Sequence, residues 1–405
     1  MTSPLKFAPQ HAAGDSRRLS WVALAAYALM VAALQLPWLT YAPVTAQAAT
    51  TMGVSDGAVG DLAVVVALLY VVLGLPAGRW LDRRYNGTLV VGTALAVGGT
   101  LLRAVDPSSY QVALVGQIIF AAGAPLVLNA VTKLPARHFF GSRRTAAIAV
   151  VSAAQFLGIL LAAATGPMLV GDDVTLLVRV HAVVLVVVGA VFLASLAVKG
   201  PLRVEPTVPS LRMVVSHPQL RLLAAQMFIG LGVFNCVATW TDTIEGDLGH
   251  DLPAGLVITV MTAAGILGAA LLPVLAARSS RRRLTLMVAS VGTTLGVPLT
   301  LLSGLPLVAG ALAALTGFVL MAGLPIALDW SEIIVGPEQA GSTAAVLLVA
   351  GNIGGAVFVI VVQQFLASPL LAVLVITLLT APWIVLATRQ REPLETVPRP
   401  EVGVA

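Results

Sequence analysis

The chain has 405 residues, 58% of them hydrophobic and only 10% charged, and its mean hydropathy is +0.97. A water-soluble globular chain carries about 25% charged residues, so this composition cannot clothe a water-facing surface and makes lipid the main solvent. The formal charge of +5 would suggest nucleic acid in a soluble chain, but here the basic residues sit in loops between apolar runs, so no nucleic-acid partner is expected.

Residues 1–20 read as an N-terminal tail. Apolar stretches follow at 21–48, 57–77, 88–105, 109–132, 145–170 and 174–198, and again at 222–246, 252–277, 284–304, 306–331, 341–366 and 368–388. A membrane-crossing helix needs about 20 apolar residues, so the pattern predicts an all-α membrane protein with twelve transmembrane helices. The first run follows Arg17 and Arg18 and contains Ala46-Gln47-Ala48, but it is too long for the apolar part of a signal peptide and reads as an uncleaved helix. Between the ninth and tenth runs only Ser303-Gly304-Leu305-Pro306 marks a turn. Residues 199–221, with Pro201, Pro206, Pro209 and four basic residues, read as a linker between a bundle at 21–198 and a second at 222–388. Residues 389–405 carry three prolines and mixed charge and are expected to be a disordered tail.

With twelve helices, all of the 23 Lys and Arg residues except Arg103 and Arg179 fall on the side that carries both termini. The positive-inside rule therefore places both termini in the cytoplasm and the chain in the inner membrane. The two halves also echo each other. Gly123-Ala124-Pro125-Leu126-Val127-Leu128-Asn129 of the fourth helix returns as Gly323-Leu324-Pro325-Ile326-Ala327-Leu328-Asp329 of the tenth, and Thr145-Ala146-Ala147 returns as Thr343-Ala344-Ala345. Such a repeat predicts two pseudo-symmetric six-helix bundles with a solute site between them near the midplane.

The turn after the second helix reads Gly78-Arg79-Trp80-Leu81-Asp82-Arg83-Arg84. Gly78 allows close helix approach, and Asp82 can accept from a neighbouring helix N-terminus or from a basic side chain, so Asp82 and Arg83 are candidate gating residues. This motif resembles that of the major facilitator superfamily. The matching turn of the second half, Ala277-Arg278-Ser279-Ser280-Arg281-Arg282-Arg283, keeps the charge without the aspartate. A narrower resemblance runs through Trp38-Leu39-Thr40-Tyr41-Ala42-Pro43, Asn129 to Phe140, Phe234-Asn235-Cys236-Val237-Ala238-Thr239-Trp240 and Pro325 to Glu332. Together these look like the feline leukaemia virus subgroup C receptor family and its prokaryotic relatives, whose eukaryotic members transport choline and ethanolamine and have an older association with haem. That resemblance implies a cation site between an aromatic of the first helix and one of the seventh, here Trp38 and Phe234. Phe234 stands where tyrosine is common, and Ala124 and Asn352 stand at positions of glutamine.

The remaining polar residues inside apolar runs are candidates for the solute site, because an amide in lipid is costly unless it faces the protein interior. Among them are Gln117, Asn129, Gln155, Asn235 and Asn352, joined by Tyr41 beside Trp38. Asp329 and Glu332 are the carboxylates deepest in an apolar run, on one helix face and near the arginine-rich loops. They read as a cytoplasmic gate of ion pairs, with proton coupling as the other reading. Asp242 and Glu245 read as part of a solvated outer loop. The lone Cys236 and the absence of nucleotide-binding, metal-ligating or nucleophile–base patterns predict no cofactor and no enzymatic activity. The expected function is secondary transport of a small solute, choline-like or amine, by a monomer. Proton-coupled transport of an organic anion or drug is the alternative, and a receptor or assembly role without transport is the third.

Overall fold

The computed structural model describes residues 10–140, 142–171, 173–198, 216–249, 254–336 and 339–392. Twelve helices among them are long and apolar enough to cross a membrane. They are labelled α1 (Arg18–Val44), α2 (Ala58–Arg83), α3 (Tyr85–Val105), α4 (Tyr110–Val131), α5 (Arg143–Gly166) and α6 (Thr175–Ser195) in the first half. The second half holds α7 (Pro218–Thr241), α8 (Val257–Arg278), α9 (Arg282–Leu301), α10 (Pro306–Val335), α11 (Ala340–Gln363) and α12 (Pro369–Thr388). The turn at 302–305 separates α9 from α10, with Pro306 pre-set for the first helical position.

Four spans are broken, and each break has a local cause. Helical geometry in α1 stops at Leu39, two residues after Pro37, and resumes as a short 3₁₀ turn at Ala42–Val44. The end of α4 tightens into 3₁₀ geometry at Asn129–Val131, beyond Pro125. A turn at Met321 and Ala322 divides α10, and Pro382 restarts the last part of α12. Non-helical backbone at membrane depth is tolerated only where protein or an aqueous cavity surrounds it. The breaks in α1 and α10 therefore mark helices that line the interior.

Large apolar side chains cover the outward faces. Leu68, Val72, Leu271, Leu299 and Leu378 are each more than half exposed, as a lipid-facing surface requires. The halves meet where α2 packs on α11 and α5 packs on α8. The turns that carry Arg83 and Arg84, Arg143 and Arg144, and Arg281 to Arg283 lie on one side of the bundle, here called the basic end.

The described ends differ from the expected boundaries. The first helix begins at Gln10, inside the expected tail, because Gln10 to Leu19 lack a helix breaker other than Gly14. Of the expected linker, residues 199–215 lie outside the described residues, and α7 begins at Pro218. Of the expected C-terminal tail, 393–405 lie outside them as well. Glu392 is instead docked: its carboxylate oxygens accept from the backbone N–H groups of Arg282 and Arg283, both at 2.9 Å, which caps the start of α9.

Candidate functional site

The basic end carries two clusters that tie the halves together. The first is built on Asp82, in the last turn of the α2 helix and 3% exposed. One of its oxygens accepts from Gly341 N–H at 3.1 Å, and the other from the Ser342 N–H at 2.9 Å and hydroxyl at 2.6 Å. Asp82 thus caps the first turn of α11, where four backbone N–H groups lack helical partners and the helix dipole is positive. Lys133 completes the site, its Nζ 2.6 Å from Asp82, and Thr132 donates to the Ala340 carbonyl at 3.1 Å. The approach needs glycine. A Cβ on Gly78 would sit 2.7 Å from the Ala345 Cβ, and one on Gly341 2.7 Å from the Asp82 carboxylate. Both contacts are shorter than van der Waals separation.

The second cluster joins α5 to α9 and α10. Asp329 is held by Arg282 Nε at 2.9 Å, from its own half, and accepts from the Thr145 hydroxyl at 2.8 Å, from the other. Arg144 reaches across the halves to Glu332, Nε to carboxylate 2.7 Å, and lies 3.7 Å from Asp329. The side chains of Asp329, Glu332 and Arg282 are at most 2% exposed, whereas that of Arg144 is 18% exposed. Each buried carboxylate therefore faces a guanidinium group, as buried charges require, and Glu392 lies 3.9 Å from Arg282 as a further, partly exposed partner.

Toward the membrane centre, α7, α9, α10 and α12 line a small cavity of about 30 Å³ that Phe156 of α5 closes from the opposite half. Phe234 and Phe156 meet edge to face, with centroids 6.2 Å apart. Trp383 supplies a third aromatic, and Met227, Met321 and Leu324 much of the remaining wall. Gln226 is the one polar side chain among the lining residues. The Trp383 indole N–H donates to its Oε1 at 3.3 Å. Because an indole N–H can only donate, the amide oxygen must face Trp383, and the Nε2 amine is the end left over. That nitrogen is buried without a partner. No carboxylate or basic side chain lines the cavity.

A separate polar cluster sits inside the first half, toward the other end. Arg103 is 1% exposed and donates to the Pro37 carbonyl at 2.7 Å and to Gln117 Oε1 at 2.6 Å. Its guanidinium lies over the Tyr41 ring, 4.8 Å from the centroid. The break in α1 frees the Pro37 carbonyl, and Arg103 supplies the missing donor while placing a positive charge at a helix C-terminus. His181 bridges the hydroxyls of Thr40 and Thr165 at 3.0 and 3.1 Å.

The Major Facilitator Superfamily model matches residues 19–359. This chain belongs to the major facilitator superfamily. Solute carrier family 49 member A3 of Danio rerio is 29% identical over 287 residues, which is 65% of this chain and 60% of that relative. The chain therefore matches less than two thirds of the relative's length. The superfamily transporter FucP, solved in its outward conformation, superposes with TM-score 0.71 at 15% identity, covering 91% of this chain and 98% of FucP. The human organic anion transporter MFSD10 superposes with TM-score 0.71 at 15% identity, covering 94% and 100%. A bacterial homologue of the iron transporter ferroportin in its outward-facing state gives 0.70 at 13%, covering 92% and 100%. At such identities these structures establish the fold. The superfamily and the twelve spans make this a multi-pass membrane protein of the major facilitator fold.

In this superfamily member the candidate solute residues do not share one place. Only Phe234 lines the cavity. Trp38 packs against the main core and is absent from the cavity wall, so the aromatic facing Phe234 is Phe156 instead. Tyr41 and Gln117 belong to the Arg103 cluster. Asn129 is fully used inside the first half, accepting from Tyr70 and donating to the Gly74 carbonyl, both at 2.8 Å. Asn235 packs against Gly355 of α11, and Asn352 donates back to the Leu348 carbonyl at 2.8 Å. The physical reason is common to them: a polar residue in an apolar run must find a partner, and a backbone carbonyl is as good a partner as a solute. Glu245, expected in a solvated loop, is 1% exposed. The side chain of Asp242 lies outside the described residues. Of the gating candidates, Asp82, Asp329 and Glu332 lie in the two basic-end clusters, while Arg83 is exposed. Lys133, Arg144, Arg282, Phe156, Gln226 and Trp383 were not singled out. Gln226 had a signal, an amide inside an apolar run, but Phe156 and Trp383 had none that distinguishes them from packing residues.

Proposed function

We propose that the protein is an alternating-access secondary carrier of a small organic amine or choline-like cation, with the basic end in the cytoplasm and closed in this state. The observation that carries the gating part is Asp82 of one half capping α11 of the other. Separating the halves there removes the cap acceptor and the Arg144–Glu332 pair together, so the basic end opens as a unit or stays shut. Two clusters of buried charge set a barrier that bound solute must help to cross.

The cation class is supported by three aromatic side chains around one cavity. A quaternary ammonium gains about 0.5–2 kcal/mol from each ring face it reaches. The narrower family resemblance points the same way. The absence of a carboxylate from the wall favours a second reading, an uncharged apolar drug-like solute, for which the thioethers and rings suffice. An organic anion is less well supported, since Arg103 is spent on Pro37 and Gln117.

The test is uptake of radiolabelled choline into proteoliposomes, with and without a pH gradient, by wild type and Phe234→Ala. Saturable uptake that the gradient leaves unchanged and the variant loses supports facilitated cation transport. Absence of uptake under either condition removes choline and turns the search to uncharged solutes.

A further inference from the structure

A second, small pocket, of about 40 Å³, opens at the basic end of the first half. Tyr85 and Asn86 at the start of α3, Arg137 and His138 of the short helix Lys133–His138, and Ser195 at the end of α6 are among its walls. Tyr85 and Ser195 are terminal residues of their spans, so the pocket lies at the level of the membrane boundary.

Its chemistry is that of an unfilled donor site. Arg137 is half-buried, and its guanidinium lies over the Tyr85 ring, 4.5 Å from the centroid. Among the described residues Arg137 has no carboxylate and no hydrogen-bond acceptor, although a guanidinium carries five N–H donors. The Tyr85 hydroxyl is buried and also without a partner. His138 is tied through Nδ1 to the Ser20 hydroxyl at 3.3 Å. No acidic side chain lines the pocket, and the exposed Arg83 and Arg84 stand immediately before Tyr85 and add positive potential. A buried hydroxyl and a forked cation, both unpaired, are complementary to an oxyanion with several acceptor atoms, and guanidinium geometry matches phosphate in particular.

We propose that this pocket binds a phosphate oxyanion, with Arg137 and the Tyr85 hydroxyl as donors. The phosphate can be carried by a phospholipid headgroup or be free in solution. The surroundings suit a lipid: Leu19 and Val22 of the first helix are about half exposed, beside Ala23 of the pocket wall, and offer an apolar track for acyl chains.

The test uses the full-length protein, delipidated in detergent. Native mass spectrometry measures retention of phosphatidic acid and of diacylglycerol with the same acyl chains, and thermal unfolding is followed with added inorganic phosphate. The expected result is preferential retention of phosphatidic acid, weakened at least fivefold in Arg137→Gln and about threefold in Tyr85→Phe, and unchanged in Arg278→Gln, an exposed arginine of the other half. Stabilisation by inorganic phosphate that is lost in Arg137→Gln, without any preference for phosphatidic acid, also supports the site and assigns it to soluble phosphate. Equal retention of the two lipids with no response to phosphate overturns the proposal, and so does an equal loss in Arg278→Gln. Tyr85→Phe keeps the test decisive if Arg137→Gln folds poorly, because it removes one oxygen and no packing.

Discussion

Asp82 and Ser342 come from opposite halves of the chain, yet Ser342 donates two hydrogen bonds to Asp82, from its backbone N–H at 2.9 Å and its hydroxyl at 2.6 Å. The contact is an N-cap built from a side chain 260 residues away in sequence. A cap of this kind stabilises a helix by about 0.5–2 kcal/mol, and here that stabilisation exists only while the halves are together at the basic end.

Replacing Asp82 by Asn removes the charge that holds Lys133 but keeps the shape. Lys133 is then a buried cation without its carboxylate, which costs about 3–5 kcal/mol when one partner of a buried pair is lost. The strain is relieved by opening, so Asp82→Asn is expected to shift the population toward a state open at the basic end. A cysteine introduced at Ala345 reports this, since the only native cysteine, Cys236, is buried. Labelling from the basic side by an impermeant thiol reagent should rise at least fivefold in Asp82→Asn. Unchanged labelling would mean that the cap does not control opening.

Asp329 and Glu332 should respond differently to neutralisation. Asp329→Asn leaves Arg282 buried with its remaining interactions inside the same half, so it should lower the thermal unfolding midpoint clearly. Glu332→Gln leaves Arg144, which is partly exposed and can turn to water, so its cost should be smaller. Opening of the basic end should show the reverse order, because Glu332 is paired across the halves, with Arg144, whereas the nearest cation to Asp329 is Arg282 of its own half. Thermal unfolding in detergent together with thiol accessibility separates the two effects.

If the solute is a choline-like cation, Phe234→Ala and Phe156→Ala should each raise the KM for uptake by about 2- to 30-fold, the equivalent of about 0.5–2 kcal/mol per ring. Trp38→Ala should change KM less, because Trp38 is not part of the cavity wall. A larger effect at Trp38 than at Phe234 would place the solute elsewhere, nearer α1.

His138 provides a pH-dependent stability term outside the membrane-spanning segments. Burial, and secondarily the charge of Arg137, lower its pKa from 6.5 to about 4. Between those values the unfolded chain binds a proton that the folded chain refuses, so this group destabilises the fold as pH falls from about 6.5 to about 4 and adds nothing further below. His138→Gln should therefore flatten the thermal-midpoint profile between pH 6.5 and 4 relative to wild type. A profile of the same slope in both would show that other groups set the acid response.

The twelve spans were legible because lipid imposes a one-dimensional constraint: each crossing needs a continuous apolar run, and the run can be seen without knowing its neighbours. The glycine and aspartate of the second turn were legible for a related reason, since a charged group next to a close-packing glycine has few structural uses. The central cavity was not legible in the same way. Phe156, Trp383 and Phe234 look like any aromatic in an apolar run, and which of them share a cavity depends on the rotation of α5, α7 and α12 about their axes. Asn129 and Gln117 present the converse case. Their polarity was visible, but their partners, Tyr70, Gly74 and Arg103, lie on other helices.

By itself the sequence determined the number of membrane crossings, the duplicated halves, the side that gathers the arginines and the residues that must bury charge. Those properties follow from the transfer of side chains between water and lipid, which is local to each segment. The tertiary structure alone decided which charge meets which. It set Lys133 and the start of α11 on Asp82, divided Asp329 between Arg282 and Thr145, and left Gln226 and Arg137 with donors unmatched. A buried polar group is satisfied only by atoms about 3 Å away, and helix packing, not sequence spacing, brings those atoms into reach.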